Sequence, residues 1–201
     1  ILRIIHALAH SQDTDLMPRP TQAFIDCSAL AHNLSIVRKF APHSRVMAVV
    51  KADAYGHGLL QTAQSLINVD GFALLELDAA ISLRDAGYRQ PILLLEGFFS
   101  TQELALFEQY RLSAVIHHTE QIAMLLAAKY PQLNLFLKIN TGMNRLGLPP
   151  ERISTIINQL QENHYQKNIT LMTHFASADD RAQHDSVIQQ IERFQQAAHP
   201  H

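Results

Sequence analysis

The sequence predicts an α/β protein in which helices alternate with the strands of a mainly parallel sheet. Short apolar runs recur along the chain, and each precedes a longer stretch with the periodicity of an amphipathic helix. The chain has 201 residues, 47% hydrophobic and 17% charged, enough for one sizeable core. Six βα units are visible, whereas a closed TIM-type (β/α)8 barrel has eight and about 250 residues. We therefore expect a partial barrel.

The predicted strands are short and rich in Val, Ile, Leu and Phe, as buried strands of a parallel sheet are. In chain order they cover residues 46–50, 72–75, 92–95, 114–116, 133–139 and 169–173. The predicted helices cover residues 59–67, 76–86, 102–109, 119–129, 151–161 and 182–198. If the chain is the whole molecule, the first and sixth strands are expected to be exposed sheet edges.

Glycine, proline and aspartate mark the ends of several of these elements. Gly87 closes the second helix, and Pro91 precedes the third strand. Pro149 and Pro150 make the start of the fifth helix rigid. Asp180 lies just before the last helix, where an aspartate is a natural cap.

Composition excludes several classes of function. Net charge is −2, and the 16 Lys and Arg residues form no basic stripe, which argues against a nucleic-acid partner. The single cysteine, Cys27, cannot form an internal disulfide, which fits a reducing cytoplasm. The histidines have no metal-ligand spacing, so no metal is expected. The apolar start is broken by Arg3 and His6, so membrane residence is not expected either.

The decapeptide VVKADAYGHG places Lys51 where a buried strand gives way to a turn of small residues. Partial desolvation there would lower the lysine pKa toward the range in which the free amine attacks a carbonyl. A strand-end lysine that only extends its ammonium into water is the alternative. Tyr55 offers a phenol, and Gly56 and Gly58 let the backbone approach a ligand. This cluster favours a phosphate-bearing ligand.

The decapeptide closely resembles the lysine motif of alanine racemases, and other segments are similar to that family as well. They are RPTQAFID at 19–26, LAHNL at 30–34, LKINTGMNRLGL at 137–148 and MTHFASAD at 172–179. The resemblance covers roughly residues 18–198. It implies that residues 18–201 are an incomplete N-terminal barrel domain that binds pyridoxal 5′-phosphate, and that a C-terminal β domain is absent. Met17 precedes the first segment, so residues 1–17 are expected to be a non-native or disordered leader.

The resemblance also implies roles for individual residues. Lys51 would carry the cofactor and act as one general base on the substrate α-proton. Tyr55 would bind the cofactor phosphate, and His174 would lie beside the cofactor ring. Arg145 would reach the cofactor phenolic oxygen and the substrate carboxylate, which suits a planar, permanently charged guanidinium. Met143 would contribute a backbone group near the substrate.

Lys138 lies on an apolar strand, and buried lysines are rare unless they are paired. The matching family lysine is often carbamylated, which turns a buried cation into an anion that orients the arginine. A plain lysine that extends to solvent is the alternative.

The implied function is racemisation of L- and D-alanine, which provides D-alanine for peptidoglycan, in a cytoplasmic homodimer. The family's second base is a tyrosine of the C-terminal domain of the partner subunit, so we expect this chain alone to be inactive or nearly so. The alternatives are a non-catalytic carrier of pyridoxal phosphate and an inactive remnant of the same fold. A carrier would have no need for the carboxylate-binding Arg145.

Overall fold

A single parallel sheet of six strands forms the centre of the computed structural model, which describes residues 23–165 and 169–199. The predicted leader, residues 1–17, lies outside this range. The strands follow chain order across the sheet, as β1 (Met47–Val49), β2 (Gly71–Leu74), β3 (Ile92–Leu94), β4 (Leu112–Ile116), β5 (Leu135–Lys138) and β6 (Ile169–Met172). All neighbouring pairs are parallel. The predicted partial barrel is confirmed.

Helices precede the sheet and connect its strands. They are α1 (Cys27–Phe40), α2 (Lys51–Gly56), α3 (Leu59–Ser65), α4 (Leu77–Asp85), α5 (Glu103–Gln109), α6 (Thr119–Ala128), α7 (Ile153–Glu162) and α8 (His184–Ala198). Short 3-10 turns, Pro150–Arg152 and Arg181–Gln183, precede the last two. Each predicted helix occurs, with ends that differ by up to two residues. The first helix begins at Cys27, three residues before the LAHNL segment.

Local side-chain chemistry explains where several helices begin and end. The Asp26 carboxylate accepts hydrogen bonds from the N–H groups of Ser28 and Ala29 at the start of α1. The Asp180 carboxylate accepts one from Ala182, so it caps the 3-10 turn Arg181–Gln183 that precedes α8 and not α8 itself. Gly87, with φ +91°, ends α4 as predicted.

Side chains from the sheet form two layers because successive residues of a strand face opposite sides. The outer layer packs against the helices and contains most of the core. The inner layer is a smaller cluster of Ala73, Leu93 and Val115, with partly buried side chains packed against it. Those side chains are Met47, Leu95, Phe136 and Met172. The inner layer therefore lines the concave side of the partial barrel.

The strands β1 and β6 each have a neighbour on one side only within the described part of the chain. Val49 of β1 is 43% exposed although it is apolar. The predicted sheet edges are thus confirmed. The strand predicted over residues 133–139 is shorter than expected, because it begins at Leu135 and ends at Lys138.

Candidate active site

The segment after β1 is a left-handed helical turn, which sequence analysis treated as an ordinary turn. The four residues from Ala52 to Tyr55 have φ between 50° and 57° and ψ between 37° and 55°. None of them is glycine, and an L-residue in this conformation costs about 1–2 kcal/mol. The turn therefore stores about 4–8 kcal/mol of local strain, which the surrounding structure must offset.

Lys51 begins this turn and is half-buried. Its Nζ lies 6.0 Å from the centre of the Tyr55 ring, and the Tyr55 side chain is 60% exposed. The turn therefore brings an amine and a phenol to the same side of the mouth of the barrel.

Lys138 and His174 continue the inner layer, because each lies two residues beyond a member of that cluster on β5 or β6. The carboxyl ends of neighbouring parallel strands meet at one edge of the sheet, so both side chains reach the mouth that follows β1. The charges of Lys51 and Arg145 both act on Lys138 and on His174, as expected for groups that face one mouth.

Lys138 is a buried amine, with 6% of its surface exposed. Burial lowers its pKa below the ordinary lysine value, and the charge of Arg145 lowers it further. The carboxylate of Glu96 opposes this shift, and Lys51 adds to it. Among residues 23–165 and 169–199, the Lys138 amine has no hydrogen-bond or salt-bridge partner that would offset this cost of burying its charge.

His174 follows β6 and is exposed at the mouth. Partial desolvation lowers the pKa of its ring, and the charges of Lys138, Arg145 and Lys51 lower it further. Its backbone carbonyl accepts a hydrogen bond of 3.0 Å from the buried side chain of Gln190 in α8. The hydrogen bond therefore ties the His174 backbone to α8, and the lowered pKa favours the neutral ring.

Arg145 lies in a tight loop that folds back on the end of β5. The side-chain oxygen of Asn140 accepts hydrogen bonds of 3.1 Å from the N–H groups of Gly142 and Asn144. Gly147, with φ +142°, lies so close that an added Cβ would be 2.7 Å from the Asn140 nitrogen. This geometry explains why the loop needs glycine at position 147. The guanidinium is exposed.

Met143 belongs to the same loop and is half-buried. The predicted contact of its backbone with the substrate stays a prediction.

A polar network that no local sequence pattern predicted lies beside Lys138. It includes His117, the residue that follows β4. Its Nε2 lies 3.1 Å from the carbonyl oxygen of Glu96, which makes Nε2 the protonated nitrogen of the neutral ring. The buried side chain of Gln121 accepts from the His117 N–H and donates to the Glu96 carbonyl. Burial lowers the pKa of His117, and the nearby Lys138 charge also lowers it.

The one local feature of the sequence that could have indicated this network is Gln121, four residues after His117. Such a glutamine also fits an ordinary buried helix position. The partner Glu96 comes from a different βα unit, and no local pattern links the two.

The structure thus brings together five of the residues predicted for the site. They are Lys51, Tyr55, Lys138, Arg145 and His174. Across the described ranges, no group of three His, Cys, Asp or Glu side chains is arranged to hold a metal ion. No described helix has both the length and the apolarity needed to cross a bilayer.

A parallel α/β barrel with a lysine at its mouth defines a class of domains in which chemistry takes place at the carboxyl ends of the strands. The alanine racemase N-terminal domain family matches residues 25–200. The chain belongs to this family.

Several relatives are similar over nearly the whole chain. The alanine racemase of Nitrosospira multiformis is 58% identical over 183 residues, which is 90% of this chain and 51% of that protein. The catabolic alanine racemase of Klebsiella aerogenes is 48% identical over 183 residues, with the same coverage. The chain therefore spans about half the length of the curated relatives it matches.

Solved structures show the same fold. The biosynthetic alanine racemase of Pseudomonas aeruginosa matches with a TM-score of 0.80 and 39% identity, over 85% of this chain and 48% of that one. A histidine racemase from Leuconostoc mesenteroides matches with a TM-score of 0.75 and 30% identity, over 86% of this chain and 48% of that one.

Proposed function

We propose that this chain is the cofactor-binding half of a pyridoxal-phosphate-dependent racemase that interconverts L- and D-alanine. The observation that carries the proposal is the convergence of Lys51, Arg145 and His174 on one mouth, with Tyr55 beside the lysine. The names of the relatives support alanine as the substrate.

The charges at the mouth suit pyridoxal 5′-phosphate. Three cationic side chains, of Lys51, Lys138 and Arg145, repel one another there, and Glu96 is the carboxylate that acts on Lys138. An anionic phosphate ester would relieve this repulsion, and the exposed Tyr55 hydroxyl is free to donate to a phosphate oxygen. When bound, the cofactor supplies the electron sink that makes the α-proton of an amino acid removable.

Each side chain then has a defined task. The Lys51 amine would hold the cofactor through its aldehyde group and, as a free amine, would remove or return the proton at the substrate α-carbon. The Arg145 guanidinium would bind the substrate carboxylate and the phenolic oxygen of the cofactor, and so would orient the reacting C–H bond. The His174 ring would lie beside the cofactor. A backbone group of Met143 lies near the substrate.

Lys138 is proposed to be carbamylated in the working protein. The deprotonated amine would attack carbon dioxide and release a proton, and the resulting carbamate would be an anion within the influence of the Arg145 charge. This anion would neutralise the excess of positive charge and would orient the guanidinium. Electron density beyond Nζ in a crystal structure is the test, and density that ends at Nζ would favour the plain lysine.

The remaining parts of the proposal concern the whole protein. Racemisation needs bases on both faces of the substrate, and we propose that a tyrosine of a C-terminal β domain in the partner subunit supplies the second. The working protein is then a cytoplasmic homodimer that provides D-alanine for peptidoglycan. The 201-residue chain by itself should not interconvert alanine enantiomers.

A carrier of pyridoxal phosphate without turnover is the second candidate function. The loop that presents Arg145 favours the racemase, because a carrier has no use for a carboxylate-binding guanidinium. Side-chain selection is a separate question, since a similar fold serves a protein named histidine racemase. Rates with alanine and histidine, measured on the natural full-length protein, would separate the two substrates.

The central test compares two lysine variants of the natural full-length protein. Lys51→Ala should abolish both racemisation and the covalent cofactor adduct seen by mass spectrometry after borohydride reduction. Lys39→Ala, which removes an exposed lysine of α1, should change neither. Activity retained by Lys51→Ala would refute the assignment, and an adduct without racemisation in the natural protein would favour the carrier.

A further inference from the structure

The left-handed turn of α2 is held by hydrogen bonds from two side chains within it and next to it. The Asp53 carboxylate accepts a hydrogen bond of 2.7 Å from the N–H of Leu59, and the Asp53 carbonyl accepts one of 3.0 Å from Gly58. Leu59 is the first residue of α3, so the carboxylate satisfies a free N–H group at the start of that helix. Asp53 therefore joins the turn to the following helix.

His57 closes the turn from its other end. Its Nδ1 lies 2.9 Å from the carbonyl oxygen of Ala54 and 3.1 Å from that of Tyr55. Both oxygens can only accept, so Nδ1 carries the proton and donates to them. The backbone N–H of His57 also donates to the Ala54 carbonyl, at 3.2 Å. The imidazole thus binds two carbonyls of the left-handed segment.

These hydrogen bonds affect where the Tyr55 ring lies relative to the Lys51 amine. Tyr55 is the last of the four non-glycine left-handed residues, and every backbone angle between it and Lys51 contributes to the position of its ring. If the segment relaxed to backbone angles that L-residues prefer, the phenol would move away from Lys51 Nζ.

We propose that Asp53 and His57 are positioning residues that hold the left-handed turn and so set the distance between the Lys51 amine and the Tyr55 hydroxyl. This distance selects a ligand that carries an aldehyde and a phosphate at a matching separation. The inference rests on the proposed function, because it takes pyridoxal phosphate as that ligand.

The experiment measures how strongly the site prefers pyridoxal 5′-phosphate to pyridoxal. A purely structural role of Asp53 and His57 would leave this preference unchanged. The dissociation constants of pyridoxal 5′-phosphate and of pyridoxal, which lacks the phosphate, are measured for adduct formation at Lys51 in the natural full-length protein. Asp53→Ala should reduce the preference for the phosphorylated form about tenfold or more, since hydrogen bonds to charged groups are of that strength. Asp53→Asn should retain the preference, because its amide oxygen accepts the same bond and asparagine tolerates left-handed backbone.

A matched control separates positioning from general loss of stability. Asp26→Ala removes the same kind of cap from α1, and it should lower the unfolding temperature without changing the preference. If Asp53→Ala does not fold, His57→Phe provides the second variant. His57→Phe should lose the preference, and His57→Asn, whose amide still donates to carbonyls, should retain more of it.

The outcomes are distinct. An unchanged preference in folded Asp53→Ala or His57→Phe would overturn the positioning role while leaving the proposed function intact. An equal loss in Asp26→Ala would overturn it as well, because the effect would then follow from stability alone. A natural protein that forms no adduct at Lys51 would overturn the proposed function, and this inference with it.

Discussion

Because the left-handed turn is strained, replacing one of its alanines with glycine should stabilise the chain, whereas this substitution usually destabilises a helix. Ala52 has φ 53° and ψ 55°, and its side chain is exposed, so replacing it with glycine removes little packing. Glycine adopts this conformation without the cost of about 1–2 kcal/mol that alanine bears. Its greater freedom in the unfolded chain costs about 0.5–1 kcal/mol. Ala52→Gly should therefore stabilise the chain by about 0.5–1 kcal/mol.

An ordinary helix position provides the control. Ala123 is exposed in the middle of the right-handed helix α6, where the same substitution should destabilise by about 1 kcal/mol. The two variants should thus differ by about 1.5–2 kcal/mol, with opposite signs relative to the unchanged chain.

Urea unfolding followed by circular dichroism measures both variants, with the free energy of unfolding extrapolated linearly to water. The slopes should agree among the three proteins, since little buried surface changes. If Ala52→Gly destabilised as much as Ala123→Gly, the left-handed conformation would be refuted, and the positioning role of the turn with it.

Three further predictions concern single groups in the core and the mouth. In the same unfolding assay, Gly147→Ala should destabilise the chain by about 2 kcal/mol or more, because the added Cβ would lie 2.7 Å from a backbone nitrogen. Gly87→Ala has open space around the added Cβ and should cost about 1 kcal/mol. Tyr165→Phe should cost about 1–3 kcal/mol, because the buried hydroxyl both donates and accepts bonds of 3.0 Å, and Tyr88→Phe should cost less, because its bond is 3.4 Å. Lys138→Met should stabilise the cofactor-free chain at neutral pH, because folding lowers the lysine pKa and the charged amine therefore destabilises the folded state. This destabilisation is fully present below the pKa of the folded state and disappears as the pH rises to the ordinary lysine value. A gain that grew with pH in unfolding measurements would contradict this sign.

Much of the fold could be predicted because it depends on the pattern of apolar and polar residues along the chain. A strand buried on both faces must be apolar, so the βα alternation is visible in composition alone. Strand ends then follow from the same runs, and this is why Lys51 and His174 could be placed after the first and sixth strands. Parallel pairing in chain order brings those ends together without any further information.

The handedness of the turn could not be predicted in this way. Ala52, Ala54 and Tyr55 carry no preference for left-handed backbone, and only Asp53 belongs to a residue type that is enriched there. The conformation depends on hydrogen bonds to residues outside the four, such as the one from Leu59. A pattern of residue types does not record such bonds.

The network around His117 was missed for a different reason. Its partners come from the ends of two neighbouring βα units, and their contact depends on strand register. The sequence shows a pair of histidines after a strand, which is equally typical of a solvent-exposed loop. Register has to be known before the pair can be related to Glu96.

The chain-order arrangement of the strands has a consequence for how the domain is made. Each described strand pairs only with its immediate predecessor and successor in sequence, so the sheet can grow one βα unit at a time as the polypeptide leaves the ribosome. The first βα units can form their native strand pairs before the later units have been synthesised. None of the described strands needs a partner that is distant in sequence. Synthesis and folding can therefore proceed in the same direction and in step.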